Sequence, residues 1–144
     1  MKASSLPQDL WNTKLQAKKL PKRVKLDKDF AGIKAGSMLF VGTPQIIDAY
    51  VRSVPQGQTR TIERMRRDLA RKNQCDANCP VSTAIFLRIS AQAAIEQMDA
   101  GKVTADVTPF WRVIEPQSTV AGKLTIDPQW IAQMRESEQS AQAM

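Results

Sequence analysis

The feature that most constrains the fold is a pair of short amphipathic segments, each with its own helix-start signal, separated by a Pro-Gln-Gly-Gln turn. Thr43-Pro44 supplies an N-cap and a first-turn proline, which predicts a helix from there to about residue 54. In the turn, proline fixes one dihedral angle and Gly57 can adopt a positive φ. Thr61 then caps a second predicted helix, which runs to about Asn73.

A longer apolar segment and a strand-like segment follow this pair. Apolar residues cover much of the third predicted helix, which starts at about Val81 and ends at 98–100, before Gly101. Downstream, the sequence predicts a strand over 110–114, a return strand or irregular wing over 120–126, and a last helix over 129–138 opened by Asp127-Pro128. Three helices followed by strand, turn and strand predict a mostly α, winged helix-turn-helix domain over residues 37–138, with a three-helix core and a short β wing.

Residues 1–36 are predicted to form a basic N-terminal extension, and residues 139–144 a flexible tail. Residues 1–28 contain eight basic and two acidic groups, a net +6 out of the chain's +7. A short amphipathic helix is expected between Asp9 and Leu20, closed by Pro21 and docked through Trp11. Such an arm commonly neutralises phosphates, although a solvated tail without a specific partner has the same composition.

Composition excludes several classes of protein. The chain has no histidine, which removes Ser-His-Asp and Cys-His chemistry, and it has no glycine-rich phosphate loop. Cys75 and Cys79 are too few to hold zinc from one chain, so no metal and no cofactor is expected; a redox role for Cys79 at a helix start is a weak alternative to simple burial. No apolar run approaches a membrane span and the N-terminus lacks a signal-peptide pattern, which predicts a cytoplasmic protein without membrane contact.

One motif links these elements to a known family. Thr108-Pro109-Phe110-Trp111-Arg112-Val113-Ile114 follows the Val-Pro-Gln-Gly turn by about fifty residues. This order resembles the DNA-binding domain of the alkylguanine-DNA alkyltransferases and their non-enzymatic alkyltransferase-like relatives. In that family, an aliphatic-Pro-x-Gly turn precedes a helix-turn-helix and a Pro-Cys-His-Arg-Val strand. Pro109, Arg112 and Val113 match, and the resemblance implies a structural role for Pro109 and a buried structural Arg112.

The family's nucleophile is missing. Phe110 stands at the position of the alkyl-acceptor cysteine and Trp111 at that of the histidine, and alkyl transfer requires a thiolate. The resemblance therefore implies a non-enzymatic member, with Phe110 and Trp111 lining or filling the base pocket unless both simply pack in the core. Ile62 replaces the family's nucleotide-rotating tyrosine. Arg88 lies at the position of its arginine finger, in a run without the family's glycines.

Basic residues recur along the second predicted helix. Six residues are predicted to contact DNA, either because they are positively charged or because they lie at the start of this helix. They are Arg60, Thr61, Arg64, Arg67, Arg71 and Arg88. A solvated helix face with Glu63 and Asp68 as local partners is the alternative. We expect a DNA-binding protein that recognises duplex DNA, with alkylated or distorted bases as the implied target and no repair. A protein-interaction module that docks a partner through the N-terminal arm stays open.

Overall fold

The computed structural model describes residues 9–143 and shows a mostly helical chain with one small sheet, which confirms the predicted class at that level. The helices are α1 (Leu10–Gln16), α2 (Pro44–Arg52), α3 (Ile62–Lys72), α4 (Pro80–Asp99), α5 (Thr119–Gly122) and α6 (Pro128–Ala143). The strands are β1 (Lys22–Lys25), β2 (Met38–Val41) and β3 (Ala77–Asn78). Lys2, which contributes to the predicted basic arm, lies outside the described residues.

The helix starts predicted around the Pro-Gln-Gly-Gln turn are confirmed. The Thr43 hydroxyl accepts the backbone N–H of Ile46 at 3.2 Å, and the Thr61 hydroxyl accepts that of Arg64 at 3.0 Å. Each bond satisfies one backbone donor that has no partner inside its helix. Gly57 has φ +86°, the left-handed conformation that the turn requires.

The strand predicted over 110–114 is wrong, and the segment 120–126, predicted as a return strand or an irregular wing, is not a strand. Phe110–Arg112 forms a 3-10 turn, and α5 overlaps the start of the second segment, where the Ser118 hydroxyl accepts the backbone N–H of Ala121. Phe110 and Trp111 are both buried, whereas neighbours on a strand point to opposite faces. The observed sheet lies before α4: β1 pairs antiparallel with β2, and β2 pairs parallel with β3. The winged-helix topology stays a prediction.

Helix α4 is the centre of the core. Leu87, Ala91 and Ala94 are buried along it, and they belong to one apolar cluster with residues of α2, α3 and α6. It is 20 residues long, yet no helix within residues 9–143 is both long and apolar enough to cross a membrane.

The N-terminus of α1 is bound to α4 by the carboxylate of Glu96. Glu96 accepts the backbone N–H groups of Trp11 and Asn12 at 2.8 and 2.9 Å, and the Asn12 amide donates to the Ala93 carbonyl at 3.0 Å. A negative charge is favourable at a helix N-terminus because unpaired N–H groups point there. Two elements of the segment predicted as an extension are joined to the rest of the fold, α1 by these bonds and β1 by its pairing with β2.

A buried aspartate connects α2, α4 and the loop before Phe110. The Asp48 carboxylate accepts the hydroxyls of Ser90 and Thr108 at 2.6 and 2.8 Å, and it pairs with Arg52 at 3.1 Å. Both hydroxyl bonds are buried, so loss of the acceptor leaves two donors without a partner.

We therefore expect Asp48→Ala to lower the free energy of unfolding by about 3 kcal/mol, the scale of lost bonds to a buried charged acceptor. Urea unfolding followed by circular dichroism measures it, with Asp106→Ala at an exposed position as the control. A loss no larger than that of the control would show that the two hydroxyls do not depend on this carboxylate.

Candidate nucleic-acid interface

Helix α3 presents arginines to solvent on the side opposite its core contacts. Met65 and Leu69 are buried, whereas Arg64, Arg67 and Arg71 are exposed and, at spacings of three and four, share one side of the helix. We call these three residues the α3 arginine face. Within the part of the chain that the structure describes, Arg64 pairs with Asp68 at 3.4 Å, while Arg67 and Arg71 enter no ion pair.

Arg60 lies before the helix and has a different environment. Its backbone N–H donates to the Arg112 carbonyl at 2.9 Å, and its guanidinium lies 5.5 Å from the centre of the Tyr50 ring. The Tyr50 hydroxyl donates to Asp68 at 2.5 Å. Burial and then this bond raise the pKa of Tyr50, while the same bond is the main cause that lowers the pKa of Asp68. Asp68 therefore stays ionised and offsets part of the charge of Arg60 and Arg64.

The strand β1 adds basic residues beside the C-terminal end of α3. All four residues of β1 are exposed, and Lys22 and Arg23 line one cleft together with Lys72 of α3. The positive charge of the N-terminal segment is thus next to the C-terminal end of α3, where Lys72 follows Arg71. Sequence reasoning treated the two regions separately because only the pairing of β1 with β2 brings them together.

Arg88 lies away from this surface. It belongs to α4 and lines a cleft with Trp11, Ile85 and Lys123, none of which borders the clefts around α3. Its guanidinium lies 5.3 Å from the centre of the Trp11 ring. The structure therefore does not bring Arg88 together with the other predicted DNA contacts.

The two candidate base-pocket residues are part of the core. Phe110 is 0% and Trp111 2% exposed. Phe110 stacks on Trp130 at 5.7 Å between ring centres, and Trp111 meets both rings edge-on at 5.4 and 5.6 Å. This is the core packing that the sequence left open as the alternative. A base pocket at this position would have to displace rings that already fill the space.

Arg112 has the partners of a structural residue. Its guanidinium donates to both carboxylate oxygens of Glu138, at 2.9 and 2.8 Å, and to the Val54 carbonyl at 2.8 Å. The Trp111 indole N–H donates to the same carboxylate at 3.0 Å. Burial alone would raise the pKa of Glu138, but the bonds from Arg112 and Trp111 outweigh burial and lower it. Pro109 is buried directly before this turn.

The two cysteines have different surroundings. Cys79 is buried, and its sulfur accepts the backbone N–H of Ser82 at 3.5 Å, as the N-cap of α4. Burial raises the pKa of the partly buried Cys75 thiol, which disfavours the thiolate. Among residues 9–143, no three Cys, Asp or Glu side chains are grouped so that they could hold a metal ion.

The lowered pKa of Glu138 predicts a pH dependence of stability. Its carboxylate stabilises the fold above its usual pKa of 4.5, and this stabilisation is lost as the pH falls through the lower folded-state value. At pH 7 we expect Glu138→Gln to reduce the free energy of unfolding by about 3 kcal/mol, since it leaves Arg112 without its buried partner. Urea unfolding at several pH values should show the difference shrinking below pH 4.5; a pH-independent difference would contradict the charge pairing.

Comparison with protein-family models, with curated proteins and with solved structures gives no match to this chain. The resemblance to alkyltransferase-like proteins therefore stays a prediction, and the functional argument depends on the geometry and charge of this surface.

Proposed function

We propose that this protein binds duplex DNA without catalysing a reaction on it. The observation that carries the proposal is the exposure of Arg67 and Arg71 without an ion-pair partner in the described structure, beside Lys72, Lys22 and Arg23. One guanidinium group donates two parallel hydrogen bonds to the oxygens of a phosphate. A row of exposed arginines therefore suits the successive phosphates of a DNA backbone.

The charge balance of α3 supports this proposal. Its eleven residues include five basic and two acidic side chains, a net +3. Asp68 is engaged with Tyr50 and Arg64, so it lies toward the α2 side of the helix. Helix α3 is also the second helix of a pair joined by a short turn, and in helix-turn-helix proteins that helix enters the major groove. We propose the same docking for α3, with β1 on the adjoining backbone.

The resemblance also suggests alkylated or distorted DNA as the target. The burial of Phe110 and Trp111 favours binding without a pocket for an extrahelical base. Neither cysteine is placed at the motif that carries the acceptor in the enzymes, so the proposed binding includes no repair. Preference for a lesion would then arise from the shape or flexibility of the DNA.

We expect the double variant Arg67→Gln/Arg71→Gln to bind a plain 20-base-pair duplex at least tenfold more weakly, and to lower the slope of log Kd against log salt by ~2, about 0.9 per lost phosphate contact. Fluorescence anisotropy at several salt concentrations measures both quantities. The charge-matched control is Lys102→Gln/Lys123→Gln, at exposed positions after α4 and after α5. Equal losses in both variants would show that net charge alone drives binding.

A matched duplex with a single alkylated guanine tests the target. We expect binding to the two duplexes to agree within about threefold, because Phe110 and Trp111 fill the place of the base pocket and leave only the shape of the DNA to distinguish the two duplexes. Salt-sensitive binding at least tenfold tighter to the alkylated duplex would instead require the rings of Phe110, Trp111 and Trp130 to move apart and form a base pocket. Absence of binding to either duplex at low salt would overturn the proposed function.

A second candidate function is docking of a protein partner through the N-terminal arm. The observation that favours it is a cleft lined by Trp11, Ile85 and Val120, beside which Val81 and Ile85 are 52% and 54% exposed. An apolar interface loses little affinity as salt rises, whereas binding to DNA weakens steeply. Salt dependence of complex formation therefore separates the two functions.

A further inference from the structure

A side of α3 that includes part of the α3 arginine face forms one wall of an open groove of about 600 Å³. Its residues are spaced as on one side of a helix, and they are Glu63, Arg66, Arg67, Ala70 and Arg71. The opposite wall consists of residues 75–78, with Ile33 from the loop between β1 and β2. We call this space the α3–β3 groove. Its volume falls within the range of small-molecule sites.

The arginines of the groove are not neutralised from within the described chain. Arg66, Arg67 and Arg71 enter none of the ion pairs among residues 9–143. Of the two acids in the lining, Asp76 accepts the backbone N–H of Met38 at 2.8 Å and so helps to join β2 to the segment before β3. Glu63 is exposed in the first turn of α3, where the helix dipole favours a carboxylate.

The groove also contains donors without acceptors. The Nε of Arg66 and the Nδ2 of Asn78 are buried and have no hydrogen-bond partner, and both residues line the groove. Asn78 is 3% exposed, and its side-chain oxygen already accepts the Thr83 hydroxyl. Both unpaired atoms are donors, and neither is satisfied by the carboxylates of Glu63 or Asp76 in the same lining. An oxyanion supplies acceptors, and several guanidinium groups in one place suit the multiple oxygens of a phosphate better than a single carboxylate.

We propose that the α3–β3 groove binds the phosphate group of a nucleotide, either as a backbone phosphate of DNA or as a free mononucleotide. Arg66 and Arg71 contact the phosphate oxygens, and Ile33 with the 75–78 wall leaves room for the attached sugar. This inference deepens the proposed function, and it rests on that function only for the polymeric ligand. It adds Arg66, which sequence reasoning did not place among the contacts, to the residues that bind the ligand.

The test uses the full chain and observes the side chain of Arg66 by NMR. We expect the NMR signal of its buried Nε–H to shift on addition of adenosine 5′-monophosphate or of a plain duplex, but not on addition of adenosine. We expect Arg66→Gln to weaken binding of the responsible ligand at least tenfold. Lys102→Gln is the control, because it removes one positive charge at an exposed position outside the groove lining. Arg66→Lys keeps the positive charge but removes the guanidinium group, which can donate two parallel hydrogen bonds. We therefore expect its affinity to lie between those of the wild type and Arg66→Gln.

The outcomes separate the two sources of phosphate. If the Arg66 signal shifts and Arg66→Gln loses affinity with the duplex alone, the groove is a backbone-phosphate site. If both results occur with adenosine 5′-monophosphate alone, it is a mononucleotide site, even if the proposed DNA binding fails. Unchanged Arg66 signals with both ligands, together with wild-type affinity of Arg66→Gln for the duplex, would overturn the groove inference and leave the proposed function standing. Equal losses in Arg66→Gln and Lys102→Gln would also overturn it.

Discussion

The ion pair between Arg112 and Glu138 is the contact on which the position of α3 depends. Arg112 donates to the Val54 carbonyl before the α2–α3 turn, and its own carbonyl accepts the Arg60 N–H after it. Glu138 anchors this arginine from α6 and also receives the Trp111 indole N–H. Removing one partner of a buried pair is costly because the other stays charged and unpaired, so the turn, the aromatic cluster and α6 hold each other in place.

This arrangement separates the core from the surface that we propose to bind DNA. The motif Phe110-Trp111-Arg112 is a packing and anchoring element, with its rings buried and its arginine paired. Helix α3, whose start is held by Arg112 through Arg60, turns Arg67 and Arg71 outward. A rigid turn keeps these side chains at a fixed spacing, which lowers the entropy lost when they bind a regular array of phosphates.

The sequence predicts those parts of the fold that depend on neighbouring residues. The caps at Thr43 and Thr61 and the stop at Gly101 identify the helices because each acts within one turn. The strand predicted at Phe110 was wrong, since periodicity in a five-residue, mostly apolar run does not distinguish a strand from a turn that the core surrounds on both sides. The partner of Arg112, 26 residues away, and the position of β1 beside Lys72 are consequences of tertiary packing that no local pattern contains.

The most direct test of the central claim is a two-dimensional ¹⁵N NMR titration of the full chain with a plain 20-base-pair duplex at low salt. The account predicts that backbone signals of Ile62–Lys72 and Lys22–Lys25 shift most, that they return as salt is added, and that signals of Phe110 and Trp111 stay unchanged. Shifts confined to the cleft between α1 and α4 around Trp11, or no shifts at all, would contradict it.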